Sequence, residues 1–89
     1  MISLFERHTV ADFDTWHRAF DELAPTLRAL GVAASTVYRA VDDANDITVI
    51  HEFATLEAAK VFATSAELRA ARPAAGVSGD PTMWLVEKL

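Results

Sequence analysis

Cysteine is absent from this 89-residue chain, and glycine and proline are scarce, with three residues of each. Without a thiol the chain can form neither a disulfide nor a thiolate metal site. No apolar run approaches the roughly 20 residues of a membrane span. The apolar part of the opening segment MISLFERH is too short for a signal peptide, because charged residues follow after only five positions. A basic run is also missing, which argues against nucleic acid or an anionic membrane as partner. We therefore expect a cytoplasmic protein.

Hydrophobic residues, by contrast, make up 52% of the chain, and the formal net charge is −5. The length predicts one domain over residues 1–89. A domain of this size buries only about 60–65% of its extended-chain surface. The surplus of apolar side chains therefore predicts a second protein surface, and a homodimer is the simplest source of one.

The longest helical pattern covers Ala11–Leu30. Its apolar residues recur at steps of three and four and form one stripe, namely Phe13, Trp16, Phe20, Leu23, Leu27 and Leu30. Asp12 stands where an N-cap is expected, and Gly31 stands where the helix should end. Pro25 removes an internal hydrogen bond, so we expect a kink one turn upstream, near Asp21–Glu22.

Four strands and a second helix account for most of the remaining chain. The predicted strands are Met1–Val10, Ala33–Val41, Ile47–Phe53 and Thr82–Leu89, with a hairpin turn at residues 42–46 and a loose loop over Pro73–Pro81. The second helix should begin at the capping residue Thr55 and bend or split at Ser65, which can cap a new turn. It should end at Arg72-Pro73, because the residue before a proline avoids helical angles.

The element order β-α-β-β-α-β predicts a ferredoxin-like α+β fold, with a four-stranded antiparallel sheet and both helices on one face. The first and third strands should be central. Apolar residues occupy both faces of the third strand, with Val49 and Phe53 beside His51 on one face and Ile50 on the other. The sequence does not reveal which face the helices cover. Two apolar faces predict that the uncovered one packs on a second sheet, which gives a dimeric α+β barrel.

Several segments resemble small bacterial dimeric α+β barrel proteins. They are Val10–Trp16, Phe20-Asp21, Gly31-Val32, Val37-Tyr38-Arg39, Glu52-Phe53 with Leu56–Ala59, and Ser65–Leu68. The superfamily that they resemble includes antibiotic-biosynthesis monooxygenase-like and polyketide cyclase-like proteins, and many members of unknown role. The resemblance covers nearly the whole chain. It implies the fold strongly, and it suggests a cofactor-independent enzyme that acts on an aromatic or polyketide-type substrate.

Haem-degrading relatives in this superfamily place a tryptophan, an asparagine and a histidine around the porphyrin. Asn45 is the only asparagine in the chain and falls in the predicted turn. We therefore do not transfer haem degradation to this chain, and we expect no cofactor. The three histidines lack an H-x-H or H-x-x-x-H spacing, so no metal site is predicted either.

His51 is the first candidate for catalysis. It lies among apolar residues of the third strand, where an imidazole needs a hydrogen-bond partner. It could serve as general base toward an acidic phenol or β-diketone, or it could be a structural histidine bonded to the scaffold. A role for His8, at the end of the first strand, is a weaker possibility.

Three further residues could assist His51. Tyr38 could hydrogen-bond a substrate oxygen, and Arg39 could stabilise an enolate. His17 lies beside the apolar stripe and could reach a pocket between the helix and the sheet. The simpler alternatives are a salt bridge at the rim for Arg39 and a solvent-exposed position for His17.

Four aromatic residues are candidates for binding a planar ligand: Trp16, Phe5, Phe62 and Trp84. The stripe alone would also explain Trp16 as a core anchor. A dimer contact would explain Trp84 as well as a pocket wall does.

The leading hypothesis is a homodimer with one apolar pocket per subunit, between the helices and the sheet, that binds a small hydrophobic or aromatic ligand. It would act as a monooxygenase-like or cyclase-like enzyme. The alternative is a non-catalytic ligand-binding, stress-related or interaction protein, and a metal- or haem-binding barrel is a weaker third reading. A cavity of about 300 Å³ or more with a polar group favours ligand chemistry, whereas a filled interior favours a structural role.

Overall fold

The computed structural model describes the whole chain, Met1–Leu89. Its elements are β1 (Ile2–Val10), α1 (Phe13–Glu22), α2 (Ala24–Ala29), β2 (Val32–Ala40), β3 (Asp43–Phe53), α3 (Leu56–Ala63), α4 (Ala66–Ala74) and β4 (Val77–Glu87). The strands form one antiparallel sheet in the order β2-β3-β1-β4. This confirms the ferredoxin-like α+β fold with β1 and β3 in the centre. No helix is long and apolar enough to cross a membrane.

The two faces of the sheet differ in burial. On β3 the alternate residues Ile47, Val49, His51 and Phe53 are all buried, because they face the helices and pack in clusters with helical residues such as Trp16. His51 therefore lies on the helix-covered face, which the sequence left undecided.

The opposite face carries apolar side chains that no helix covers. Phe5 lies between Ile50 of β3 and Trp84 of β4 in the strand register. Trp84 remains 44% exposed and Tyr38 of β2, on the same face, 54%. The predicted second apolar face is present, and what covers it remains a prediction.

The expected single kinked helix is instead two helices. α1 ends at Glu22, Leu23 stands between the helices, and Pro25 occupies the first turn of α2. The prediction of a kink near Asp21–Glu22 is wrong because the first turn of a new helix needs no bond from the proline nitrogen. The predicted ends are confirmed: Asp12 Oδ2 accepts from the amide of Thr15 at 3.0 Å, and Gly31 has a φ of +94°.

The second helix splits at Thr64, and Ser65 caps α4 by accepting from the amide of Leu68 at 3.4 Å, as predicted. The predicted end at Arg72-Pro73 is wrong, since α4 continues to Ala74. The hydrogen-bond ladder continues past the proline, because the amide of Ala75 still donates to the carbonyl of Ala71 at 3.0 Å. Pro73 itself has no amide hydrogen, so the last turn lacks one bond of the ladder.

Two predicted connections are shorter than expected. The hairpin turn contains only residues 41–42, and Asn45 belongs to β3, where its Oδ1 accepts from the amide of Phe13 at 3.1 Å. The prediction of a loose loop over Pro73–Pro81 is also wrong, because β4 already begins at Val77. Pairing of Val77 with Val10 extends the strand, and Pro81 is tolerated because β4 is an edge strand.

Candidate functional site

A cavity of about 190 Å³ lies between the helices and the sheet, where the pocket was predicted. Twelve of its sixteen lining residues are hydrophobic. The polar exceptions come from three elements: Glu6 and His8 of β1, His51 of β3 and Arg72 of α4. The cavity is thus an apolar space with one cluster of ionisable groups in its wall.

His51 is held by one hydrogen bond inside this wall. Its Nδ1 lies 2.7 Å from Oγ of Ser35, the residue directly opposite on β2. This is the only hydrogen bond of the ring, and Nε2 has none, although His51 is only 3% exposed and lines the cavity. Burial lowers the pKa of His51 to about 4, so the ring is uncharged near neutral pH. His51 therefore offers the cavity a neutral imidazole with one unpaired nitrogen.

Glu6 and Arg72 form a buried ion pair beside His51. Nε of Arg72 donates to Oε2 of Glu6 at 3.0 Å, and a second nitrogen donates to Oε1 at 3.4 Å. Burial by itself raises the pKa of Glu6, but the contacts with His8 and Arg72 outweigh it and lower the pKa to about 2. Glu6 is therefore a carboxylate whose charge is matched by the guanidinium.

The sequence reasoning overlooked Glu6 and Arg72. One signal was available, because Glu6 alternates with Leu4 and His8 on the first strand and so shares their face. A carboxylate on a buried face needs a partner of opposite charge. Which cation supplies it depends on how α4 packs on the sheet.

His8 is buried without a hydrogen bond. The residue is 7% exposed, and neither ring nitrogen has a partner. Nδ1 lies 3.3 Å from Oε2 of Glu6 but lacks hydrogen-bond geometry. The edge of the ring meets Trp16, with 5.5 Å between ring centroids.

Three of the eight residues predicted for the site line this cavity: His51, Trp16 and Phe62. The ring centroid of Phe62 is 4.8 Å from that of His51. His17 does not line it, because its half-exposed side chain points along α1, with Nε2 4.0 Å from a carboxylate oxygen of Asp21.

The other four predicted residues also lie outside the cavity. The guanidinium of Arg39 sits 4.7 Å from the centre of the Phe13 ring. Tyr38 projects from the uncovered sheet face, and there Phe5 stacks on Trp84 with 5.2 Å between ring centroids. The roles predicted for these residues stay predictions. No group of three or more histidine or carboxylate side chains has an arrangement that could hold a metal ion.

No protein-family model matches the chain, and no curated protein matches its sequence. Solved structures match it closely in shape. A candidate antibiotic biosynthesis monooxygenase from Bordetella bronchiseptica superposes with a TM-score of 0.81 at 17% identity, covering 99% of this chain and 96% of that one. SnoaB, a cofactor-independent oxygenase from Streptomyces nogalater, superposes with a TM-score of 0.78 at 16% identity, covering 99% of this chain and 92% of that one. The chain has their fold.

A conserved protein from Methanosarcina mazei superposes nearly as well, with a TM-score of 0.75 at 14% identity over 99% of this chain and 92% of that one. At sequence identities of 14–17%, structural similarity establishes the fold alone. The chemistry depends on the residues that line the cavity.

Proposed function

We propose that this protein is a homodimeric barrel that binds a small, largely apolar or aromatic molecule in the cavity and acts on it without a cofactor, as a monooxygenase-like or cyclase-like enzyme. One observation carries the proposal: an uncharged imidazole, His51, lines an apolar cavity and has a hydrogen bond on only one of its two ring nitrogens. The cofactor-independent oxygenase among the structures of the same fold supports the reaction class.

The proposed chemistry begins with removal of a proton from the ligand. In the active tautomer, Nδ1–H of His51 donates to Oγ of Ser35 and leaves the lone pair of Nε2 toward the cavity. Nε2 then accepts a proton from an acidic O–H or C–H of the ligand. Arg72 lines the same cavity and stabilises the anion that forms. In an oxygenase this electron-rich anion would be oxidised by dioxygen, with a new C–O bond at a ring carbon. The resulting peroxide would take back the proton from His51 and lose water to leave a quinone, while the apolar wall keeps bulk water away.

The cavity volume limits the size of the ligand. Pockets for drug-sized molecules measure about 300–1,000 Å³, whereas an engineered apolar cavity of about 150 Å³ binds benzene. At about 190 Å³, this cavity falls short of the roughly 300 Å³ that favours ligand chemistry, but it is not a filled interior either. It is too small for a molecule with several fused rings. A phenol or another one-ring compound is therefore the ligand class that fits.

A second candidate function is non-catalytic binding of the same kind of ligand. It is favoured by the pKa of about 4 for His51, because a general base works best when its pKa is near the working pH. In this alternative, Nε2 accepts a hydrogen bond from the ligand hydroxyl and takes no proton.

The uncovered sheet face supports the homodimer. Phe5, Ile50 and Trp84 form a row across three neighbouring strands, and Trp84 is nearly half exposed. A second sheet packed on this face would bury the row and leave the cavity of each subunit on the helix side.

The test measures binding first and chemistry second. Amide chemical shifts of the ¹⁵N-labelled protein are followed while phenol is added, and oxygen consumption is recorded with benzene-1,4-diol. We expect phenol to shift the amides of residues that line the cavity, and His51→Gln to lower protein-dependent oxygen consumption by about 100-fold or more. Arg69→Gln, an exposed change on α4, is the control and should leave both readouts unchanged.

Binding without protein-dependent oxygen consumption would overturn the oxygenase proposal and favour the binding function. The absence of any shift with phenol would overturn both.

A further inference from the structure

One carboxylate oxygen in the cavity wall is shared by two basic side chains. Oε2 of Glu6 accepts from Nε of Arg72 at 3.0 Å, and Nδ1 of His8 lies 3.3 Å from the same atom. The guanidinium already balances the single negative charge of Glu6. The Glu6–Arg72 pair therefore adds no net charge to the wall of the cavity, and burial keeps the ring of His51 uncharged.

A ligand that enters as an oxyanion would disturb this balance. Twelve of the sixteen lining residues are hydrophobic, so an uncompensated negative charge would be strongly unfavourable there. A proton taken up by the wall would restore neutrality.

Two imidazoles could take that proton, and their surroundings differ. Nδ1 of His51 faces the neutral hydroxyl of Ser35, and burial favours the uncharged form of its ring. Nδ1 of His8 faces the carboxylate of Glu6, and an adjacent opposite charge favours the charged form of an imidazole. A protonated His8 would also gain the hydrogen bond that it lacks.

We propose that the cavity binds a small aromatic oxyanion, such as a phenolate, together with one proton from solvent, and that His8 carries this proton by donating Nδ1–H to Oε2 of Glu6. The inference rests on the proposed binding function and extends it to the charge of the ligand. The charged or titratable groups around His8 come from four elements: Glu6 and Arg7 of its own strand, Asp43, Asp46 and His51 of β3, Arg72 of α4 and Asp80 of β4. α1 contributes the uncharged Trp16.

The experiment uses 4-nitrophenol at about pH 8.5, where most of it is ionised in solution and its visible absorption band reports the phenolate form. Calorimetric titrations in two buffers with different ionisation enthalpies give the number of protons taken up per ligand bound. We expect about one proton per ligand, and we expect the bound ligand to keep the phenolate band.

Two variants identify the proton carrier. His8→Gln should bind 4-nitrophenolate more weakly, by about tenfold or more, with proton uptake near zero. Glu6→Gln should also abolish the uptake, but it should keep or raise the affinity, because the unpaired Arg72 would balance the phenolate directly. Glu67→Gln, the same change at an exposed position of α4, is the control and should retain an uptake of about one proton.

Binding without proton uptake in the unaltered protein would overturn the inference and leave the proposed binding function intact. Uptake that persists in both His8→Gln and Glu6→Gln, or loss of the phenolate band on binding, would also overturn it. If neither phenol nor 4-nitrophenol binds, the proposed function fails, and this inference fails with it.

Discussion

Nδ1 of His51 and Oγ of Ser35 lie 2.7 Å apart, and the two residues face each other across β3 and β2. The strand register creates this contact, because Cβ atoms of opposed residues on one face are about 5 Å apart. The contact uses one ring nitrogen and leaves the other to the cavity. The orientation of the candidate base therefore depends on the sheet.

The protonation of His51 should be unusual. Because burial lowers its pKa to about 4 from the ordinary 6.5, the folded protein should keep the ring neutral down to about pH 5. Long-range ¹H–¹⁵N spectra of the histidine rings at several pH values measure this directly. Protonation of His51 near pH 6.5 would show that the cavity does not exclude water.

The same shift predicts a pH dependence of stability. Between about pH 6.5 and pH 4, the unfolded chain takes up a proton at residue 51 that the folded chain does not. The free energy of unfolding should therefore fall as the pH falls through this window. His51→Phe removes the titrating group and should flatten this part of the profile. Urea titrations of both proteins at pH 7 and pH 5 give the comparison.

Ser35→Ala should free the ring of His51. We expect a loss of unfolding free energy of about 1 kcal/mol, the usual net value of one hydrogen bond, and a weaker affinity for phenol because Nε2 is no longer held toward the ligand. Thr36→Ala, the neighbouring residue on the opposite sheet face, is the matched control. Equal phenol affinity in all three proteins would show that Ser35 does not position the ring.

Acid should weaken the Glu6–Arg72 ion pair at low pH. The fold lowers the pKa of Glu6 from its ordinary 4.5 to about 2, so its contribution to stability is present above about pH 4.5 and is lost as the pH falls toward 2. A shift of that size corresponds to on the order of 3 kcal/mol. Glu6→Gln should therefore unfold more readily at pH 7 and lose less stability between pH 5 and pH 2, as followed by circular dichroism.

Filling the cavity should abolish ligand binding while keeping the fold. Ala71 of α4 lines the cavity and Ala70 beside it is exposed, so Phe can be placed at either position as a matched pair. We expect Ala71→Phe to weaken phenol binding by about tenfold or more and Ala70→Phe to leave it unchanged, measured by amide shifts. Unaltered binding to Ala71→Phe would place the ligand elsewhere.

A charge on the uncovered sheet face should separate the proposed dimer. Trp84→Lys introduces a cation beside Phe5, where a second sheet would have to remove it from water. We expect sedimentation analysis to show a mass near the 9.7 kDa of a single chain. Val61→Lys, an exposed apolar position on α3, should leave the dimer intact. A single-chain mass for the unaltered protein would refute the homodimer.

Local signals in the sequence determined the fold. The alternation of apolar residues along β3 predicted which side chains share a face, and Asp12, Gly31 and Ser65 marked helix ends that the structure confirms. These signals are reliable because caps and strand alternation depend on residues a few positions apart. Pro25 shows their limit, since one residue supports either a kink or a new helix.

Only the tertiary structure determined which ionisable groups meet. Glu6 and Arg72 are 66 residues apart in the chain, and their contact requires α4 to pack against the sheet. His51 was the leading candidate from the sequence, whereas its partner Ser35 became known only through the register of β2 and β3. Residue type alone made Tyr38 and Trp84 candidates for the pocket, whereas the sheet places both on the uncovered face. Sequence spacing specifies neighbours within an element, but distances between elements are set by packing, which no local pattern encodes.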